Sequence, residues 1–131
     1  MVRYKGMEAE VVAAVDNAGM ADRVLYSSFN HRSVRKLAAM DRQAGVLFGD
    51  VLASPERYAR SIGAVALHPG VNVLRMDKRL IERAHDAGLA VNVWTVDDRA
   101  TLGALIEAEA DAVISNRPDV AIKVRDEVAV G

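Results

Sequence analysis

The chain has 131 residues, the size of one domain, and its 17 Lys and Arg residues nearly balance its 18 Asp and Glu residues at a formal net charge of −1. This balance excludes a broad positive field, so we expect neither a nucleic-acid partner nor an anionic membrane surface. The absence of cysteine excludes disulfides and thiolate metal sites and fits a reducing compartment. The sequence has no apolar signal-peptide core at its start and no run near the roughly 18 apolar residues of a membrane span. We therefore expect a cytoplasmic protein.

The first third of the chain predicts a helix, a strand and a second helix. Apolar residues recur between Met7 and Val15 with the spacing of an amphipathic helix, which Gly19 ends. Residues 24–29 (VLYSSF) are too continuously bulky for a solvated strand and predict a buried parallel one. Asn30 then predicts a helix cap. Together these segments predict one strand-helix unit that follows an initial helix.

The same alternation continues through the middle of the chain. Residues 46–48 (VLF) predict a second strand. Ser54 followed by Pro55 is typical of a helix start, with a capping residue and then proline at the first helical position. Residues 64–67 (AVAL) predict a third strand, which is expected to stop at His68 and the proline after it.

The next unit carries the clearest strand signal of the sequence. Asp77 predicts the cap of a helix, and Gly88 its C-terminal stop. Residues 89–95 (LAVNVWT) follow as the fourth strand. Either Asp97 or Asp98 then predicts the start of another helix.

The last unit completes a repeating pattern of strands and helices. Residues 112–114 (AVI) predict a fifth strand, and Asn116 followed by Pro118 predicts the cap of the last helix. Five strands that alternate with helices predict parallel pairing through right-handed crossovers, and hence an α/β protein. A doubly wound sheet of the flavodoxin or response-regulator kind fits this pattern, and so does a run of units from a (β/α)8 barrel. Periodicity alone does not choose between the two.

Functional side chains are expected just after the strands, because in both architectures the loops at the carboxyl ends meet on one face. The residues at these positions are Ser27, Ser28, Phe29, Gly49, Asp50, His68, Trp94, Thr95, Ser115 and Asn116. They exclude a phospho-receiver, which needs an acidic cluster after the first strand, an aspartate after the third and a lysine after the fifth. The sequence also has no GxGxxG or GxxxxGK[ST] loop for a nucleotide phosphate. Only one of these positions carries a carboxylate, so we predict no calcium or magnesium site within this chain.

The three histidines have neither the pairing nor the shared loop of a zinc site. His31, in the first turn of a helix, and His85, on a helix rim, are interpreted as solvated structural residues. His68 is the only histidine at a strand end and is a candidate ligand contact. Trp94 is interpreted either as a core residue or as a stacking surface for a ligand, and Asn116 either as a helix cap or as a ligand contact.

Five stretches stand in a fixed order along the chain. They are residues 25–30 (LYSSFN), 67–69 (LHP), 84–88 (AHDAG), 93–98 (VWTVDD) and 111–119 (DAVISNRPD). Together they resemble the C-terminal part of the glycerophosphodiester phosphodiesterases, and the resemblance covers nearly the whole chain from about Glu8 onward. It implies that residues 1–131 form a single partial (β/α)8 barrel with about five parallel strands, since a complete barrel has roughly 250 residues.

The resemblance also implies a chemistry. The family uses calcium or magnesium to hydrolyse glycerophosphodiesters to glycerol 3-phosphate and an alcohol, with one histidine as base and another as acid. Its catalytic histidines belong to HRG and HD motifs, and its metal carboxylates to ELD-like and EIK-like strands. None of these is present here: the pair His85-Asp86 is predicted mid-helix, and Tyr4-Lys5 lacks the glutamate of an EIK strand. We therefore expect this chain to bind no metal and to be inactive by itself.

What the resemblance carries over is a substrate wall. Phe29 and Trp94 match positions that would line the pocket for a glycerophosphodiester, and His68 and Asn116 are weaker candidates on the same face. No residue of this chain is expected to be catalytic.

Five of eight barrel strands leave two unpaired edges and an uncovered interior, so we expect association with a second copy or with an N-terminal barrel portion. One hypothesis is a phosphodiesterase fragment that is active only when an N-terminal piece supplies the catalytic groups. The alternative is a non-catalytic, self-associating α/β module from a truncated gene. A small doubly wound ligand-binding protein would require the resemblance to be accidental.

Overall fold

Five parallel strands follow one another across the sheet in the same order as in the chain. The computed structural model describes residues 6–131, so Tyr4 and Lys5, compared above with a metal-binding strand, lie outside the described residues. The strands are β1 (Tyr26–Ser28), β2 (Ala44–Phe48), β3 (Ala66–Pro69), β4 (Ala90–Trp94) and β5 (Ala112–Ile114).

The strand order decides between the two predicted architectures. Each neighbouring pair is parallel, and the order is β1-β2-β3-β4-β5. Every crossover therefore steps in the same direction, and right-handed crossovers of this kind place all the helices on one face of the sheet. A doubly wound sheet reverses direction at its switch point, which this sheet does not do. The prediction of consecutive barrel units is confirmed, and the doubly wound alternative is excluded.

The helices alternate with these strands. Those of the described residues are α1 (Glu8–Asn17), α2 (His31–Ala39), α3 (Pro55–Ser61), α4 (Val71–Met76), α5 (Leu80–Asp86), α6 (Arg99–Glu107) and α7 (Pro118–Val130), with a short 3-10 turn at Ala21–Arg23. Two caps are as predicted: the Asn30 side chain accepts the Arg32 amide, and the Asp98 side chain accepts the Thr101 amide. None of the described helices is long and apolar enough to cross a bilayer.

Asp77 does not occupy the cap position of α5, which Arg79 holds. It follows α4, a helix that the sequence did not predict, and its Oδ1 accepts the Arg79 amide at 3.3 Å in the turn that leads into α5. The Asp77 carboxylate also accepts two hydrogen bonds from the Arg83 guanidinium, at 2.9 and 2.6 Å, which hold the pKa of Asp77 below its usual value. Arg83 also donates to Glu56 at 3.1 Å. The aspartate therefore joins α3, α4 and α5 through one arginine, in addition to its bond to the turn before α5.

The two faces of the sheet differ in polarity, as the alternation of side chains along a strand requires. Val46, Leu67, Val91 and Val93 point toward the helices and are fully buried. The alternate residues point toward the inside of the partial barrel, called the barrel curve below. This second set contains the polar side chains described in the next section. The helices therefore cover one face, and the site is built on the other.

The interpretation of residues 24–29 as a wholly buried strand is wrong in one respect. β1 has three residues, of which Tyr26 is buried and Ser27 is exposed. The reason is that, among residues 6–131, β1 pairs with β2 alone and stands at the edge of the described sheet.

Candidate functional site

Two aromatic rings stand at the carboxyl ends of β1 and β4. Phe29 directly follows β1, and Trp94 is the last residue of β4. Their ring centroids are 5.6 Å apart with the planes at 88°, an edge-to-face contact. Phe29 is 64% exposed, so most of its ring is available to a ligand. The pair forms an apolar wall, defined here as Phe29 and Trp94, at the mouth of the barrel curve.

The indole of Trp94 is held in place by its surroundings. Its Nε1–H donates to the backbone oxygen of His68 at 2.7 Å. The ring lies beside Gly49 and Gly70, which follow β2 and β3; a Cβ on Gly70 would lie 3.4 Å from the indole and 2.7 Å from Asn72 Oδ1. The Asn72 amide in turn donates to the Gly49 oxygen at 3.0 Å. The Trp94 side of the wall is therefore held in place by the protein itself.

The structure places His68 inside β3, which corrects its predicted position beyond the strand. The strand runs on because Gly70 N–H donates to the Phe48 oxygen at 2.9 Å, so the ladder continues past Pro69 although proline has no N–H to give. The side chain of His68 is only 3% exposed. It reaches the wall through its backbone oxygen, and its ring faces the inside of the curve below the wall.

The His68 ring belongs to a row of polar side chains across three strands. Its Nδ1 is 2.7 Å from Ser27 Oγ on β1, and its Nε2 is 3.0 Å from Asn92 Nδ2 on β4. On the intervening strand β2, Gly45 leaves the space that the ring occupies. We call Ser27, His68 and Asn92 the polar row. Asn92 was missed from sequence, although a single polar residue between Val91 and Val93 in a buried strand signals an inward-facing partner.

Burial of the His68 ring has a consequence for stability. Burial lowers the pKa of His68 from its usual 6.5, because the charged imidazolium is poorly solvated there. The unfolded chain then binds a proton more readily than the folded chain. The contribution of His68 to the free energy of unfolding is therefore complete above about pH 6.5 and is lost as the pH falls below that value.

We predict that urea unfolding will show lower stability at pH 5.5 than at pH 7.5, and that His68→Gln will make the difference smaller. Carboxylates with lowered pKa values are common to both proteins, so the comparison isolates the histidine. An equal change in the two proteins over this pH range would contradict the prediction.

One of the two interpretations of Asn116 was that it caps the last helix, and the structure shows that it does not. Arg117 occupies the cap position, and no side chain caps the helix. The Asn116 backbone and side-chain N–H groups donate to Asp97 at 2.7 and 3.1 Å, and the Ser115 hydroxyl donates to the same carboxylate at 2.9 Å. These bonds, the Asn116 side chain first, hold the pKa of Asp97 below its usual value. Asn116 thus fixes the loop after β5.

Asp97 was predicted only as a possible helix start, and its role in binding the loop after β5 was not predicted. The sequence offers two adjacent acids, Asp97 and Asp98, but a helix needs only one as its cap. Since Asp98 is that cap, the other carboxylate was free to bind the loop after β5. Two adjacent aspartates before a helix were therefore the signal that one of them has a partner elsewhere.

The other two histidines have structural partners. His31, interpreted from sequence as merely solvated, donates from Nε2 to the Leu47 oxygen at 2.8 Å and lies 2.8 Å from the Tyr58 hydroxyl through Nδ1. His85 Nε2 is 2.8 Å from Asp111 Oδ2, an atom that also accepts the Val91 amide. Both join helices to the sheet, and His31 also lines a pocket beside Phe29 of the aromatic wall.

The donor set at the mouth does not fit a calcium or magnesium ion. Within residues 6–131 no three His, Cys, Asp or Glu side chains stand close enough to hold a metal. Asp97 is near the mouth, but both of its oxygens already accept hydrogen bonds from the loop after β5. Asp50, the exposed carboxylate predicted after β2, belongs to no group of three possible ligands. Hard cations of this kind require several free oxygens at one point.

Within residues 6–131, the sheet has apolar side chains beside both of its outer strands. Beside β5, a groove of about 610 Å³ lies between β5, α6 and α7, and Ile114 and Ile122 in it are 45% and 50% exposed. At the opposite edge, Met7 and Val11 of the α1 region are 37% and 40% exposed beside β1. Edge strands with apolar flanks are surfaces that proteins ordinarily cover.

Comparison with known families gives a single result. A sequence model of the glycerophosphoryl diester phosphodiesterase family matches residues 1–120. An uncharacterised protein of Bacillus subtilis strain 168 is 34% identical over 123 residues, which are 92% of this chain and 51% of that protein. A glycerophosphodiester phosphodiesterase of Bacillus altitudinis is 27% identical over 128 residues, which are 96% of this chain and 52% of that enzyme. The chain spans about half the length of the curated relatives it matches.

Solved structures agree on the fold. A glycerophosphodiester phosphodiesterase from Parabacteroides distasonis superimposes with a TM-score of 0.85 at 22% identity, over 93% of this chain and 51% of that one. An Oleispira antarctica phosphodiesterase, solved in complex with the product sn-glycerol-3-phosphate, gives a TM-score of 0.73 at 20% identity, over 93% of this chain and 51% of that one. At these identities the superpositions show a common fold.

Proposed function

Since this chain belongs to the glycerophosphoryl diester phosphodiesterase family, we propose that it supplies the substrate-binding half of a metal-dependent phosphodiesterase barrel. The observation that carries the proposal is the aromatic wall of Phe29 and Trp94, fixed at the carboxyl ends of the strands where barrel enzymes bind their ligands. The rings would cover the carbon chain of a glycerophosphodiester.

We propose that the groups that cleave the diester lie outside this chain. Two observations support this: the described residues bring no three metal-ligating side chains together, and both ring nitrogens of His68 are hydrogen-bonded within the polar row. His68 supports the wall through its backbone oxygen, and Asn116 supports the neighbouring loop. Phe29 and Trp94 are then the direct substrate contacts among the four predicted residues.

We propose that the partner is the complementary half of a family barrel, acting in the cytoplasm. Its strands would extend the sheet beyond β1 and β5 and cover the apolar groups at both edges, in agreement with relatives about twice as long as this chain. The exposed edges also favour a second candidate, a self-associating module without catalytic activity, in which another copy covers the same surfaces.

A chimera tests the proposal. This chain replaces the aligned region of the Bacillus altitudinis enzyme, and release of glycerol 3-phosphate from a glycerophosphodiester is followed with calcium or magnesium. We expect metal-dependent release, with KM raised about ten-fold by Trp94→Ala because the stacking surface is lost.

Met76→Ala is the matched control, since Met76 is 74% exposed on α4 and lines no part of the mouth. A folded chimera without metal-dependent release would contradict the proposed function. Equal KM values for the Trp94 and Met76 variants would contradict the role of the wall.

A further inference from the structure

The polar row lies directly below the aromatic wall on the inner face of the sheet. Asn92 precedes Trp94 by two residues on β4, so these two side chains share one face of the sheet. Ser27 lies on β1 two residues before Phe29, and the ring of Phe29 contacts Trp94 on that same face. His68 and Asn92 are buried, at 3% and 7% exposure, whereas Ser27 is exposed. Of the three, Ser27 alone can be reached from inside the barrel curve.

The hydrogen bonds of the row have a definite direction. An amide N–H can only donate, so Asn92 Nδ2 donates to His68 Nε2, and that ring nitrogen carries no proton. Burial keeps the imidazole neutral by lowering its pKa, and the single ring proton must then sit on Nδ1. Nδ1–H therefore donates to Ser27 Oγ at 2.7 Å.

The direction of the row determines what Ser27 offers to a ligand. Its oxygen is occupied as an acceptor by His68, while its own hydrogen has no partner among the described residues. We infer that the Ser27 hydroxyl is a ligand-binding hydrogen-bond donor, oriented by His68 and Asn92 toward an oxygen of a glycerol phosphate whose carbons lie against Phe29 and Trp94. This inference rests on the proposed function and adds to it a specificity contact below the wall.

The tautomer of His68 is the first test, and it needs no ligand. Two-bond ¹H–¹⁵N correlation spectra of the full labelled chain at pH 7.5 distinguish a proton on Nδ1 from one on Nε2. We expect the Nδ1–H form. An Nε2–H form would overturn the inference, because Ser27 would then donate to the ring and have no hydrogen left for a ligand.

Binding is the second test, with the fluorescence of Trp94, the single tryptophan of the sequence, as the signal. The full chain is titrated with sn-glycerol 3-phosphate, glycerol and inorganic phosphate. Ser27→Ala is expected to weaken sn-glycerol 3-phosphate binding about five-fold, the equivalent of one neutral hydrogen bond, and Ser27→Thr to restore it. If Ser27→Ala also weakens the binding of glycerol, the acceptor is a hydroxyl oxygen of the ligand. If it also weakens the binding of inorganic phosphate, the acceptor is a phosphoryl oxygen.

Ser28→Ala is the matched control. Ser28 is adjacent on β1, but its hydroxyl accepts the Asn30 amide at the start of α2 and lies outside the polar row. Equal affinities of the Ser27→Ala and Ser28→Ala variants, or no binding of any probe, would overturn the inference. Neither test involves turnover, so failure here is distinct from failure of the chimera to hydrolyse a diester.

Discussion

Gly45→Ala is expected to destabilise the chain by about 3 kcal/mol, because the new methyl group would overlap a buried ring that cannot move freely. A Cβ on Gly45 would lie 2.4 to 2.7 Å from three atoms of the His68 imidazole, far inside van der Waals contact. The ring is held on both sides by Ser27 and Asn92, so displacing it would break the hydrogen bonds of the polar row. Urea unfolding monitored by circular dichroism measures the loss.

Two further variants establish the cause of this destabilisation. Gly103→Ala, in α6, places its Cβ no closer than 3.9 Å to a neighbour, and it is expected to stabilise the chain by about 0.5 to 1 kcal/mol through helix propensity. In a His68→Ala background, Gly45→Ala should cost much less, because the overlapping ring is absent. Full additivity of the Gly45 and His68 substitutions would contradict the packing described here.

The double variant Ile114→Asp/Ile122→Asp is expected to abolish self-association of the purified chain. When these 131 residues are purified without a partner, we expect the two apolar edges to bind other copies at micromolar concentration. Two carboxylates in the groove beside β5 would have to be desolvated in such an interface, and we expect the affinity to fall by about 100-fold or more. Sedimentation velocity measures the change.

Met76→Asp is the control for added charge, since Met76 is more exposed than either isoleucine and lies on α4, outside the groove. We expect this variant to associate like the wild type. A monomeric wild type would contradict the need to cover the edges, and equal loss of association in both variants would show that charge, not the groove, is responsible.

The sequence predicted the architecture because each strand-helix unit carries its own local signals. Residues 112–114 form β5 as predicted, and Asn30 and Asp98 cap their helices, since a side-chain oxygen near free amides acts within a few residues. The choice between a barrel-type and a doubly wound sheet depends on strand order, which local periodicity does not encode. The ordered motifs supplied that choice.

What the sequence did not predict depends on contacts between distant segments. α4 begins after Gly70 with no capping side chain, so it has no start signal to read. The position of His68 depends on a ladder bond from Gly70 to β2, and its partners lie 41 and 24 residues away on other strands. Asn116 binds Asp97 across 19 residues. The wall could be predicted as a set of residues, whereas the polar row required the strand register.

The central claim is that this chain provides the substrate wall of a phosphodiesterase barrel and that the cleaving groups come from the other half. Release of glycerol 3-phosphate from a glycerophosphodiester, with calcium or magnesium, tests it when the chain alone and the chimera are assayed side by side. We predict release by the chimera that is abolished by EDTA, and none by the chain alone. Metal-dependent release by the purified chain alone would contradict the claim.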